Sequence, residues 1–232
     1  MLAHQQNAER TIGEPAWSAL APHGEPSPAL YLGPDGSPAR WNPCKPVLYS
    51  VRWKGAPASA KRDFRLALRA LAAATGLRFV DTGRTPRVPQ ARGDLPYGSR
   101  EVIVTWTDPN ETAMLPRGVY GYAGSTFVWS QTGRDATVGF ILFHSAGARR
   151  LRPGLGPTSV GALIVHEWGH VLGLSHSPSG SSVMYPYLNG GPGRLSAIDR
   201  RALRRLYRHD RTECVPSTTS HPNDGLEEGD AP

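Results

Sequence analysis

The sequence predicts an α+β domain, on three observations. Val47–Trp53 (VLYSVRW), Glu101–Trp106 (EVIVTW) and Ala136–Phe143 (ATVGFILF) read as strands, and a helical pattern falls between the first two. Two more helical patterns close the folded part instead of alternating regularly with strands. Gly (26) and Pro (22) exceed one residue in five and only 39% of residues are hydrophobic, which suits a loop-rich domain with unstructured ends.

After the first strand, Pro57–Thr75 puts Phe64, Leu68, Leu71 and Ala72 on one helical face and stops at Gly76, a suitable C-terminal cap. Leu77–Val80 can begin a second strand, and a Gly-rich stretch, Gly118–Gly124, precedes Ala136–Phe143. Thr158 or Ser159 can cap a helix that runs through His170 and ends before Gly173. Ser196 and Asp199 form a box-like start to a last helix. Its Ile198, Ala202, Leu203 and Leu206 share a face, opposite Arg200, Arg201, Arg204, Arg205 and Arg208. Residues 1–26 read as a flexible lead-in, 27–214 as the folded domain and 215–232 as a disordered, acidic tail.

No apolar run approaches the roughly 18 residues of a membrane helix, which excludes a helical membrane span. The net charge of +7 rests on arginine, since lysine occurs only at Lys45, Lys54 and Lys61. Cys44 and Cys214 lie near the two ends of the folded part. They are either one disulfide closing the domain in an oxidising compartment or two unrelated buried thiols. Residues 1–28 show no basic start followed by an apolar core, so they do not by themselves mark export.

The chemistry concentrates in His166-Glu-Trp-Gly-His170-Val-Leu-Gly173-Leu-Ser-His176. Histidines four apart on a helix project from one face, so His166 and His170 can grip one metal ion. Glu167 then sits beside the fourth metal position, where it can act on a water. Gly173 can turn the chain sharply and bring back His176 as a third ligand. Three neutral nitrogens with one open position are the pattern of a catalytic zinc.

This stretch, with Ser177 after it and Ser182-Val-Met184-Tyr-Pro186-Tyr187 downstream, resembles the metzincin zinc proteases. Within them it is most similar to the matrixins, the matrix-metalloproteinase group including its bacterial relatives. Gly169, Ser177 and the Met-Tyr-Pro order carry that distinction, and Leu195-Ser-Ala-Ile-Asp199 through Tyr207 looks like the matrixin C-terminal helix. The resemblance implies a twisted mixed sheet with an edge strand, two helices packed on it, one carrying the zinc motif, and a C-terminal helix. It implies an endopeptidase with His166, His170 and His176 on one zinc and Glu167 as general base. Met184 would support the ligands from a methionine turn anchored by Asp199. Ala136–Phe143 resembles the edge strand that aligns substrate, so Phe140 and Ile141 are expected to contact it, with Pro186 and Tyr187 beside the pocket for the P1′ side chain. Leu188 stands where the family has a tyrosine in that wall.

Only His144 is available where animal matrixins hold a second zinc, so one zinc is expected. Asp108, Glu111 and Asp135 could contribute to a calcium site. Cys44 lies in Asn-Pro-Cys-Lys-Pro, not in the family's Pro-Arg-Cys-Gly switch, which favours a Cys44–Cys214 bridge. The implied partner is a protein or peptide substrate, the implied setting extracellular and the expected state monomeric. The competing reading is a binding module whose basic face, with Arg149, Arg150 and Arg152, docks on a polyanion such as an acidic polysaccharide, a membrane surface or a nucleic acid, over a structural or retired zinc site.

Overall fold

The computed structural model describes residues 28, 30–32, 38–96, 98–130, 133–188, 191–208 and 214. The lead-in assigned to residues 1–26 and the tail assigned to 215–232 lie outside the described residues. Five strands form one mixed sheet: β1 (Val47–Arg52), β2 (Phe79–Arg84), β3 (Glu101–Thr107), β4 (Gly121–Ser130) and β5 (Gly133–His144), in the order β2-β1-β3-β5-β4. All neighbours run parallel except β4, which is antiparallel to β5.

That order corrects one expectation. Ala136–Phe143 belongs to β5, which is hydrogen-bonded to β3 on one side and β4 on the other, so it is an interior strand. The physical reason was visible in its composition. Val138 and Phe140–Phe143 are all buried, as expected of a strand covered on both faces and both edges. The edge on this side of the sheet is β4, which grows out of the Gly-rich stretch, and β2 forms the opposite edge. Phe140 and Ile141 are therefore core residues with their strand's backbone already paired, and they cannot align a substrate as expected. Ile141 and Phe143 face the helical side, with Val102, Val104 and Trp106, whereas Phe140 and Leu142 face loops carrying Leu95, Leu115 and Val119.

Helix α1 (Ala60–Thr75) ends at Gly76, whose φ of +74° and N–H bond to the Ala72 carbonyl make the expected left-handed cap. A single turn, α2 (Ser145–Ala148), follows β5. Helix α3 (Val160–Val171) begins at Ser159, whose hydroxyl accepts from the Ala162 N–H, and all twelve of its residues are buried. Trp168 fastens it to the sheet and to α1. Its ring lies 6.1 Å from Tyr49 of β1, 6.1 Å from Phe64 of α1 and 5.3 Å from Phe79 of β2. Each such edge-on aromatic pair adds about 0.5–1.5 kcal/mol to the area it buries.

Helix α4 (Ala197–Tyr207) opens with a full capping box between Ser196 and Asp199 and buries Ile198, Ala202, Leu203 and Leu206. Cys44 and Cys214 are joined by a disulfide that closes 170 residues of sequence. Replacing both by serine is expected to lower stability by about 2–5 kcal/mol, because a long loop in the unfolded chain loses its constraint. Equilibrium denaturant unfolding of the double variant beside wild type would measure it, and no change in midpoint would contradict it.

Candidate metal centre

The centre is built where α3 ends. Gly173 has φ +102°, its N–H bonds the His170 carbonyl at 3.1 Å, and the Leu174 N–H bonds the Gly169 carbonyl at 2.9 Å. This pair of bonds is the Schellman arrangement. The last carbonyls of α3 are occupied by side chains: Val171 O accepts from Trp41 Nε1 (2.8 Å) and Ser125 Oγ (2.9 Å), and Leu172 O from the Tyr207 hydroxyl (2.7 Å). With the helix end immobilised, the chain reverses and returns His176 to the face that holds His166 and His170.

The three histidines are buried, and one ligand nitrogen of each lies within 4.8 Å of those of the other two. Ring centroids are 4.8, 5.4 and 4.8 Å apart. Among the described residues this is the one cluster of three metal-capable side chains. His166 Nδ1 donates to the Val183 carbonyl (2.8 Å) and His170 Nδ1 to the Leu174 carbonyl (2.9 Å). A carbonyl only accepts, so each of these nitrogens carries its ring's proton, and each Nε2 presents a bare lone pair. The two Nε2 atoms face each other at 3.2 Å. Facing lone pairs repel unless a cation lies between them. Tetrahedral zinc at about 2.0–2.1 Å from each nitrogen sets ligand nitrogens about 3.3 Å apart. The residues fit zinc.

Glu167, fully buried, lies on α3 beside His166. Its carboxylate packs on the backbone of Gly121, the first residue of β4, so closely that a Cβ there would collide with Glu167 Oε1. The base candidate thus lies against the start of the edge strand. Met184, fully buried, packs against α3 at Gly169. A Cβ on Gly169 would collide with its sulfur, so the glycine is what lets Met184 approach the helix. The Met184 loop is tied down on both sides. Its carbonyl accepts from the Ser177 N–H (3.0 Å), one residue past His176, while Asp199 accepts from Ser182 Oγ (2.5 Å) and the Val183 N–H (3.0 Å).

A shallow cleft opens next to His166, lined among others by Ala162, Val183, Tyr185, Tyr187 and Leu188. Tyr187, 39% exposed, lines it, and Pro186 stands between two lining residues without lining it. Tyr31, 3.3 Å from His170 Nδ1, and Gly121 were not singled out from sequence. The Gly-rich stretch was the available signal for Gly121; Tyr31 had none. Two of the acidic residues considered for calcium have partners within the protein. Glu111 is held below the usual carboxylate range by its bonds from Arg52 (3.1 and 3.2 Å), and Asp108 accepts from the Ala146 N–H and lies 3.3 Å from His144 Nε2. The side chain of Asp135 lies outside the described residues.

Burial pushes the pKa of His166 below 6.5, that of His170 well below, helped by its neighbouring histidines, and that of His176 down to about 3. The rings therefore stay neutral at neutral pH, the form that ligates. The unfolded chain takes up protons near pH 6.5 while the folded chain does not. The metal-free protein is thus expected to keep its stability above pH 6.5 and lose it as pH falls from there toward about 3. Melting temperatures of chelator-treated protein across that range would measure this, and a flat profile would contradict it.

Comparison with known proteins points the same way. Residues 49–208 match the family model described as Matrixin. Matrix metalloproteinase-25 of Homo sapiens is 46% identical over 55 residues, which are 22% of this chain and 10% of that protein. A putative matrix metalloproteinase of Spodoptera frugiperda ascovirus 1a is 35% identical over 72 residues (29% and 19%). Metalloendoproteinase 2-MMP of Arabidopsis thaliana is 38% identical over 69 residues (27% and 18%). The aligned stretches span under a fifth of each of these relatives.

Proposed function

The chain belongs to the matrixin family, and from that premise we propose that it is a zinc-dependent endopeptidase acting on extended protein substrates. The observation that carries this reading is the pair of Nε2 atoms confronting each other at 3.2 Å, with His176 completing the set. Bound there, zinc would supply a Lewis acid that polarises a scissile carbonyl and acidifies a water. His166, His170 and His176 would hold it, and the Val183 and Leu174 carbonyls keep two of the rings in the ligating tautomer. Glu167 takes the proton of the attacking water and returns it to the leaving nitrogen.

Substrate aligns on β4, the edge strand, whose outer backbone groups can pair with an extended peptide. Its side chain next to the cleaved bond enters the cleft beside His166, where Tyr185, Tyr187 and Leu188 offer an apolar wall. The disulfide supports export to an oxidising compartment. The test is hydrolysis of casein, an unstructured protein, by zinc-loaded wild type beside Glu167→Ala.

Gly121→Ala probes the junction of strand and base. The new methyl group would displace the Glu167 carboxylate. An error of about 1 Å in a reacting group costs on the order of 10²-fold, so kcat/KM is expected to fall by about that much, with one zinc per chain retained. Unchanged activity would place the base elsewhere.

A further inference from the structure

Helix α4 presents Arg201, Arg204, Arg205 and Arg208, all exposed, at three- and four-residue spacing. With Ala74, Thr75, Gly76 and Tyr207 they line an open groove between the end of α1 and α4. The only acidic side chain on α4, Asp199, is buried at the other end of the helix under the Met184 loop. Among the described residues, none of the four arginines is in an ion pair. Like charges at these spacings oppose the helix by about 0.2–0.5 kcal/mol per pair. The C-terminus of α1 offsets roughly half a charge at the groove, leaving a strongly positive concave surface. It shares no lining residue with the cleft at His166.

We propose that this groove binds a linear acidic polysaccharide, one carrying sulfate or carboxylate groups along its chain. Guanidinium forks match the planar carboxylate and the oxygens of a sulfate, and hold them by paired hydrogen bonds. From Arg201 to Arg208 the row extends about 10 Å along the helix axis, enough for successive anionic groups of one polymer. Other polyanions fit less well. Single-stranded nucleic acid is held by stacking on exposed aromatics, but Tyr207 is 3% exposed with its hydroxyl bonded to Leu172 O. Duplex grooves receive a protruding helix or ribbon, whereas these arginines line a concavity. Membrane surfaces are entered by exposed apolar side chains, and the one large exposed apolar residue among those described, Tyr187, lies at the other cleft.

The experiment measures binding of the full chain to immobilised heparin, with unsulfated dextran as blank, over a series of salt concentrations. Wild type and Glu167→Ala are expected to bind alike, separating this site from proteolysis. Replacing Arg201, Arg204, Arg205 and Arg208 by Ala should weaken binding about 100-fold near 0.15 M NaCl and lower the log–log salt slope by about 3, with casein hydrolysis unchanged. A matched control replaces Arg84, Arg87, Arg117 and Arg194, all exposed elsewhere, and should stay within about 3-fold of wild type. Should the groove variant fold poorly, Arg204→Gln with Arg208→Gln gives the same comparison with a smaller loss. Equal losses in groove and control variants would overturn the proposal in favour of diffuse charge. Tighter binding of single-stranded DNA or of phosphatidylserine vesicles than of heparin would overturn the choice of ligand.

Discussion

Glu167→Ala is expected to abolish casein hydrolysis while the protein keeps its fold and one zinc per chain. Glu167 is absent from the cluster of ligand nitrogens, so its loss leaves the three-histidine set whole. Its carboxylate is buried against Gly121, with its neighbours on the helix fixed by Trp168 packing and by the His166 bond to Val183. Removing a positioned general base costs about 10²–10⁴-fold. Because the same carboxyl would serve both the attacking water and the leaving nitrogen, the expected loss is at least about 10³-fold. Glu167→Gln separates chemistry from shape. It fills the same space against Gly121 but cannot accept a proton at neutral pH, and the same loss is expected. Glutamine variants that kept a tenth of wild-type activity with full zinc content would remove Glu167 from the role.

Much of this arrangement was legible because it is local. The spacing from His166 to His176 needs only a helix and one left-handed glycine to converge, and Ser196–Asp199 and Gly76 are end signals decided by adjacent residues. The strand order was not local. Ala136–Phe143 and the Gly-rich stretch before it are neighbours in sequence, and which lies outermost depends on β3 pairing with β5 from about 37 positions away. A run of consecutive apolar residues should have argued for the interior strand, while glycines at 121 and 124 hid an edge strand behind poor strand propensity. Likewise, Trp41, Ser125 and Tyr207 capping one helix end, and Tyr31 reaching His170, join residues 35 to 139 positions apart. No periodicity in the sequence carries such contacts.

Asp199→Ala should be the most disruptive change outside the centre itself, and its effect should reach the zinc. Asp199 is fully buried and accepts from Ser182 Oγ (2.5 Å), the Val183 N–H (3.0 Å), the Ser196 N–H (2.7 Å) and Ser196 Oγ (2.8 Å). One carboxylate thus caps α4 and anchors the loop that carries Met184. Losing the cap alone costs about 1 kcal/mol. The buried donors left behind cost about 1–3 kcal/mol each, and the total expected is on the order of 4 kcal/mol. Val183 links this to chemistry: its N–H is held by Asp199 and its carbonyl holds the His166 ring. Loosening that carbonyl is a change in the support of a ligand, which costs about 10–100-fold in metal affinity. Asp199→Asn is the sharper probe, since it keeps volume but replaces an accepting oxygen with a donor facing donors. Competition with a zinc chelator should show faster metal loss at temperatures where the variant is still folded by circular dichroism. A variant that is destabilised but holds zinc as tightly as wild type would mean that His166 is positioned by α3 packing alone.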